Sequence, residues 1–424
     1  LVGSLPKQGA QVRVTASLVQ TSDGTTLWSA NYNDDLDSIF GLQEDIAREI
    51  TKNLGVVLDL GSQQSLMPKL TSNRDAYILF VQGRALARKF DANSKLKAKQ
   101  LLSQAVALDP NFAAAWAWLG QTQLFLTLAA YKSEAPKLLA QARASTQRAL
   151  ALDSELPMGH YVNSILSAYE LDLAAAIKQR KQAYELNASQ PFLMIRLGRL
   201  YANTGNTKRG LQLMEAGLDL DPTDAIGLVN LGTAYASQGD LQKAEELYNR
   251  ASDLGVHITP LLHCNIVRQL SGANAAIACW QQLPVDIRQR YIPALRSDAM
   301  WHTLARAMYG QDTAANQAVI ATLDDYFANP SVSSSTYNLL AYLSAGAPER
   351  YMQYFVERPY PLNSAGLGLV WWNDQAGQAL RQHPDFNAFA ERIGLVAAWQ
   401  QYGWPDKCQA IAGSDGSDGQ FSCE

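Results

Sequence analysis

Leu197-Gly198-Arg199-Leu200-Tyr201 and Leu231-Gly232-Thr233-Ala234-Tyr235 are one pattern written twice, 34 residues apart, and the same step runs through the stretch from Phe112 to Gly255. Ala149, Ala183, Gly217 and Ala251 share it, as do Ala142, Ala176, Gly210 and Ala244, and Ser164, Gly198 and Gly232. Small residues recurring at fixed places in a helical pattern sit where two antiparallel backbones approach. Tyr201 and Tyr235 are then placed to fill the space beside Gly198 and Gly232. One such hairpin cannot bury its own apolar face, so successive hairpins must stack into a superhelix. The expected fold is mostly α, an α-solenoid.

The period and its residues resemble the tetratricopeptide repeat, whose pattern runs W-x2-L-G-x2-Y, then A-x3-F, then A and P. Trp116-Ala117-Trp118-Leu119-Gly120 matches the opening, as do Leu197-Gly198-x2-Tyr201 and Leu231-Gly232-x2-Tyr235. Ala244, Tyr248 and Ala251 fill the second helix, and Pro222 ends one unit. Gly83, Ala98, Ala105 and Pro110 extend the columns to a first unit, capped by Asp75, with helices from Ala76 to about Arg88 and from Ser94 to Leu108. The second unit starts at Asn111 and carries about ten extra residues around Thr127–Pro136. Past Gly255 the pattern fades into a short hairpin, His257–Leu283, and further helix pairs over Asp286–Ala328 and Ser331–Val356.

Residues 1–60 follow a different rhythm. Val12, Val14, Ala16 and Leu18 alternate with polar residues, which predicts a strand. Ser22-Asp23-Gly24 is a turn, Thr26–Tyr32 a return strand anchored by Trp28, and Leu1–Ser4 another strand. Asp37 is expected to cap a helix whose apolar face is Ile39, Phe40, Ile46, Ile50 and Leu54, ahead of a short strand at Val56–Leu60. The stretch Leu1-Val2-Gly3-Ser4, Val12–Val19, Leu27–Tyr32 and Asp34–Ala47 resembles the second half of the TolB-amino-terminal-like α/β domain. That resemblance implies that the first half is missing here. The division expected is therefore a partial α/β domain over 1–60, a linker over 61–74, repeats over 75–255, divergent hairpins and capping helices over 256–407, and a disulfide-pinned tail over 408–424.

The C-terminal signature starts at Trp371-Trp372 and continues through Leu380-Arg381, His383-Pro384, Phe386, Phe389 and Arg392-Ile393-Gly394-Leu395 to Trp399 and Tyr402-Gly403-Trp404-Pro405-Asp406. It resembles the end of repeat domains in ToxR-type winged-helix regulators, class III cyclases and kinases. Trp399 and Trp404 are expected to cover the last hairpin.

The chain has 424 residues, 47% apolar and 17% charged, with a formal charge of −4. Nothing in that balance suggests a basic field for a phosphate backbone, so direct nucleic-acid binding is not expected. No apolar run reaches the ~18 residues of a membrane span, and any membrane tether would lie in an absent upstream segment. Four cysteines allow three connectivities. Cys264 and Cys279 lie symmetrically about Ser271-Gly272-Ala273-Asn274, the turn of a hairpin, so they come opposite each other. Cys408 and Cys423 bracket a Gly/Ser/Asp stretch, and a bridge closing a loop of about 15 residues is worth roughly 3 kcal/mol. Two bridges imply an oxidising compartment, the periplasm; the alternative is four free thiols in the cytoplasm.

No metalloprotease, Walker, nucleophile-elbow or dinucleotide motif is present. Neither catalytic residues nor cofactors are expected. His257, His263 and Cys264 lack the further ligands zinc needs. Asp415 and Asp418 lack the spacing of a calcium loop. Asp34, Asp35 and Asp37 read as helix-capping charge. The remaining candidate surface is the concave wall of the superhelix, which by the repeat columns takes in Gln121, Phe125, Tyr161, Tyr169, Arg199, Asn203, Thr233 and Ser237. The paired Lys/Asn clamp of chaperone-binding members of the resembled family is not visible. These features together suggest a non-enzymatic interaction or sensor module of a bacterial signalling or transcription-regulatory protein. It would bind a protein, peptide or small ligand. An assembly scaffold, or an enzyme with an unrecognised site, stands as the alternative.

Overall fold

The computed structural model describes residues 2–4, 7–8, 11–20, 23–35, 46, 49, 70–89, 92–129, 134–256, 260–283, 297–310, 312–328, 336–357, 367–411 and 421–424. Its N-terminal sheet is antiparallel and centred on β3 (Gln11–Val19). β1 (Val2–Ser4) and β2 (Lys7–Gln8) follow one another along one edge of β3, and β4 (Thr26–Asp35) runs along the other. One face is polar, with cross-strand bonds Arg13–Asn33 and Thr15–Asn31 at 2.8 Å and Ser17–Ser29 at 2.9 Å. The other face buries Ala16 and half-buries Trp28 and Tyr32, as the alternation requires. β4 runs three residues further than Tyr32, so the backbones of Asp34 and Asp35 pair in the ladder opposite Val12 and Gln11. The helix expected from Asp37 and the strand at Val56–Leu60 lie outside the described residues, Ile46 and Glu49 excepted.

The helical array begins at Arg74, not Ala76. Asn73, not Asp75, is the N-cap, its side chain accepting the Ala76 N–H at 3.0 Å. Ten helices then run as five antiparallel hairpins: α1 (Arg74–Ala87) with α2 (Ala92–Leu108), α3 (Ala113–Ala129) with α4 (Ala135–Leu152), α5 (Pro157–Tyr169) with α6 (Leu173–Leu186), α7 (Pro191–Asn203) with α8 (Thr207–Leu220), and α9 (Ala225–Gln238) with α10 (Leu241–Asp253). Asp172, Asp224 and Asp240 cap the helices that follow them. The extra residues of the second unit lengthen both of its helices, to 17 and 18 residues against 13 and 14 in the next hairpin.

The small-residue columns lie in the helix–helix seams. Ala142, Ala149, Ala176, Ala183, Ala244 and Ala251 are fully buried. Gly198 and Gly210 bring α7 and α8 into backbone contact: a Cβ on Gly198 would stand 2.6 Å from the Gly210 carbonyl oxygen. In the next hairpin the gap at Gly232 is filled from the partner helix by the ring of Tyr248, not by Tyr235. Tyr235 is half-buried and hydrogen-bonds Glu215.

Beyond the repeats, α11 (Pro260–Ser271) and α12 (Ala273–Gln281) form a hairpin stapled by Cys264–Cys279, with Cα atoms 5.7 Å apart. α13 (Asp298–Tyr309), α14 (Thr313–Ala328), α15 (Thr336–Ser344) and α16 (Pro348–Glu357) continue the array. Trp301 stacks on Trp280 at 4.3 Å and donates to its carbonyl, sealing α13 onto α12.

The C-terminal segment differs most from expectation. It comprises a 3-10 turn (Leu369–Trp371), α17 (Gln375–Arg381), α18 (Phe386–Arg392), α19 (Leu395–Tyr402) and the ribbon β5 (Cys408–Ala410) and β6 (Phe421–Cys423), bridged by Cys408–Cys423. Trp399 and Trp404 do not cap the last hairpin. The segment returns about half the chain length and seats on the middle repeats. Trp371 Nε1 donates to Asn203 O at 2.7 Å, Trp399 Nε1 to Thr204 O at 2.8 Å, and the Asp406 N–H to Gly205 O at 3.0 Å. Asp406 also accepts the Lys208 N–H, at 2.9 Å. Three successive inter-helix turns are held this way. Gly394 lies against the Leu171 carbonyl, Pro405 and Trp371 against Gly205, and the Asn373 N–H bonds Ser237 O at 3.2 Å, beside Gly239. Leu171, Gly205 and Gly239 are themselves one column of the period, and all have positive φ (61°, 94° and 89°). One apolar cluster consequently joins Tyr201 and Tyr248 of the repeats to Trp280, Trp301, Trp371 and Trp399.

Candidate functional site

The concave wall and the returning C-terminal segment flank a groove of about 830 Å³. Its wall is supplied by the first helix of each hairpin. On α7, Phe192, Arg196, Arg199 and Asn203 recur at helical spacing; on α9, Ile226, Asn230, Thr233 and Ser237 do the same. α3 adds Trp118, Gln121 and Phe125, and α5 adds Met158 and Tyr161. Arg84 and Arg88 of the first hairpin lie at one end. Leu340, Leu369 and Trp372 close the other side.

Seven of the eight residues placed on the concave wall from the repeat columns line this groove: Gln121, Phe125, Tyr161, Arg199, Asn203, Thr233 and Ser237. Tyr169 does not. It lies at the end of α5, 8% exposed, with its hydroxyl 2.5 Å from Thr127 Oγ1 on the lengthened α3. Thr233 and Ser237 spend their hydroxyl protons on their own helix, donating to Val229 O and Ala234 O.

The electrostatics of the groove depart from the average of the chain. Its lining carries Arg84, Arg88, Lys95, Arg196 and Arg199 against Asp221 and Asp224, although the formal charge of the whole chain is −4. Lys95 is tied down, donating to Ala87 O and standing 4.3 Å from the Phe125 ring centre. Arg196 lies over Phe192 at 4.9 Å, and its Nη2 is 3.7 Å from Asp224, which is also the N-cap of α9. Arg180 lies over Tyr161 at 5.2 Å, donating to Ser164 Oγ and to Arg196 O. Burial depresses the Arg180 guanidinium, and Arg196 depresses it further. Burial likewise pulls Arg199 down to about 10, with Arg196 and then Arg180 adding to the effect. Among the described residues, four polar atoms of the lining are buried without a partner: Gln121 Oε1, Asn203 Nδ2, Asn230 Nδ2 and Arg196 Nη1.

The repeat columns pointed to Arg199 but missed its neighbours Phe192 and Arg196, which the same helical spacing would have found. Trp372 had no such signal, because its position depends on a contact far along the chain. Among the described residues no group of three or more His, Cys, Asp and Glu is placed to hold a metal. Cys264, weighed beside His263 as a ligand, is bonded to Cys279. His257, Asp415 and Asp418 lie outside the described residues.

These features define an α-solenoid of stacked helical hairpins with an open groove along the first helices. Residues 195–255 match the tetratricopeptide repeat family. The chain is 30% identical over 161 residues to the protein named "Putative adenylate cyclase 3" of Rhizobium meliloti (strain 1021), a match covering 38% of this chain and 27% of that one. Among solved structures, PilF of Pseudomonas aeruginosa aligns at 17% identity and a TM-score of 0.37, covering 49% of this chain and 90% of that one. PilW, a type IV pilus biogenesis factor, aligns at 17% identity and 0.39, covering 52% and 96%.

Proposed function

We propose that this chain is a non-enzymatic recognition module of a bacterial signalling protein, holding an extended protein or peptide segment in the concave groove. One observation carries this: the groove is lined by apolar rings interleaved with buried amide atoms that have no partner among the described residues. Gln121, Asn203 and Asn230 offer both acceptors and donors, which is what a peptide backbone needs. A buried polar atom left unpaired costs about 1–3 kcal/mol, which an occupant would recover.

The signalling context draws support from the partial likeness to the cyclase relative and from the resemblance of both chain ends to regulator-linked repeat domains. On that basis residues 1–60 are the second half of a TolB-amino-terminal-like domain, linked through 61–74 to the recognition unit. Two bridged cysteine pairs support a periplasmic setting. No described helix is long and apolar enough to cross a membrane.

The test is selection of binders from a random displayed peptide library, followed by calorimetric titration into the full chain and into Ser237→Trp, which plugs the groove. Selected peptides should bind the parent chain and lose at least tenfold in the variant. Equal affinity for both would overturn the groove reading. A sensor should further change oligomeric state on titration, whereas a fixed scaffold should keep its state and pull down fixed partners.

A further inference from the structure

Three arginines on two adjacent hairpins converge beneath the groove, where among the described residues only Arg196 has a carboxylate, Asp224, within 4.0 Å. Arg180 is satisfied by Ser164 Oγ and a backbone carbonyl, both neutral. Arg196 reaches Asp224 only at 3.7 Å and leaves Nη1 buried and unpaired. Arg199 faces the same space, and among the described residues no carboxylate pairs with it. Leaving buried charge under-neutralised is expensive. Replacing such groups by apolar ones commonly stabilises a protein, so retaining them in a folded array needs another reason. The flanks are specific as well. Tyr161 and Phe192 meet edge to face at 5.0 Å, and their faces are already occupied by Arg180 and Arg196. The guanidinium groups are thereby fixed in direction, as planar recognition of a carboxylate requires.

We propose that Arg196 and Arg199 form a subsite for the side-chain carboxylate of an acidic residue in an extended segment, with Gln121, Asn203 and Asn230 meeting the segment's backbone on either side. The inference rests on the groove being a peptide site and adds the class of peptide. Charge complementarity selects it: one end of the groove carries Arg84 and Arg88 as well, so a further acidic residue toward that end is favoured too.

The experiment uses the full chain and three labelled nonapeptides, acetylated and amidated so that no terminal charge remains: three repeats of Glu-Ala-Leu, of Gln-Ala-Leu and of Lys-Ala-Leu. The Glu peptide should bind by fluorescence anisotropy at least tenfold more tightly than the Gln peptide, with the Lys peptide weakest. Arg199→Met should erase about ten- to a hundredfold of that preference, the contribution of a charge-assisted hydrogen bond. An apolar isostere is tolerated at such a site, and a circular-dichroism melt confirms that the variant is folded. Arg199→Lys should restore part of the preference.

Equal binding of Glu and Gln peptides, both lost in Ser237→Trp, would overturn the acidic subsite and leave the groove reading standing. Glu-peptide binding undiminished in Ser237→Trp would overturn both. No saturable binding of the Glu peptide, or competition by glutarate or inorganic phosphate as strong as by the peptide, would also overturn the subsite as one built for a segment. A labelled oligouridylate decamer binding more tightly than the Glu peptide would transfer the cluster to nucleic acid and overturn the proposal.

Discussion

Gly205→Ala should damage this protein more than any comparable change in the same column of the repeat. The residue has φ of 94°, and an added Cβ would lie 2.4 Å from Pro405 Cβ and 3.0 Å from two ring carbons of Trp371. The left-handed backbone alone costs roughly 1–2 kcal/mol for a residue with a Cβ. Forcing a methyl into an occupied interface adds about 1–3 kcal/mol. Gly239 supplies the control, with φ of 89° and only Asn373 Nδ2 within reach, at 3.9 Å. Gly239→Ala should therefore lose only the backbone part. Urea unfolding followed by circular dichroism gives both stabilities, and tryptophan emission reports whether Trp371, Trp399 and Trp404 stay seated. Gly205→Ala should be the less stable of the two by about 1–3 kcal/mol, or should show red-shifted emission if the segment lifts off instead. Equal stabilities together with unchanged emission would refute the docking of residues 371–406 on this turn.

Leu171 carries the same left-handed backbone with a side chain, φ 61°. Leu171→Gly should thus be more stable than Leu171→Ala by about 1 kcal/mol in the same unfolding assay, the reverse of their order inside a helix; a more stable Ala variant would show that the turn is unstrained. Cys408–Cys423 closes a separation of 15 residues. The double Ser variant should lose roughly 3 kcal/mol and blue-edge tryptophan emission, and an unchanged urea midpoint would mean that the bridge constrains nothing. Burial, followed by the nearby Arg381, lowers the Lys407 ammonium to about 8. Its folded-state pKa is then below the unfolded value, so the unfolded chain holds the extra proton between about pH 8 and 10.5 and stability must rise with pH in that window. Relative to Lys407→Met, the parent should gain about 1 kcal/mol from pH 7 to 9.5 once solvent screening is allowed for, and a constant difference would contradict this. Thiol exchange does not confuse the measurement, because all four cysteines are bridged.

Much of the fold was legible because helical hairpins that stack repeat their steric demands. The columns of small residues mark seams where backbones meet, and bulky side chains do not fit there. Both cysteine pairings followed from local geometry, since each pair flanks its own turn. The helix start was misplaced by two residues because Asn73 and Asp75 are both competent caps, and only the path of the preceding chain, with Thr71 bonding the Asn73 N–H, decides between them. Glycine–tyrosine pairing was assigned to the wrong tyrosine in the α9 hairpin, because Tyr235 and Tyr248 are equally plausible fillers until the helix phases are known. The basic groove was hidden by averaging: the net charge sums the whole chain, while Arg84, Arg88, Lys95, Arg196 and Arg199 line one groove. The docking of the C-terminal segment left no local trace at all. Trp399 and Trp404 looked like a terminal cap because they lie close in sequence to the last hairpin.

The bond from Trp399 to the Thr204 carbonyl spans 195 residues. A chain made N-terminus first at about 5–20 residues per second exposes Thr204 roughly 10–40 s before its partner exists. Hairpins form within microseconds, so the middle of the array must wait, assembled but unfinished, with the α7–α8 turn open to water. Stacked hairpins ordinarily grow one after another and melt the same way. Here residues made later complete hairpins made well before them, so maturation should show a slow late step that truncation before Leu369 abolishes.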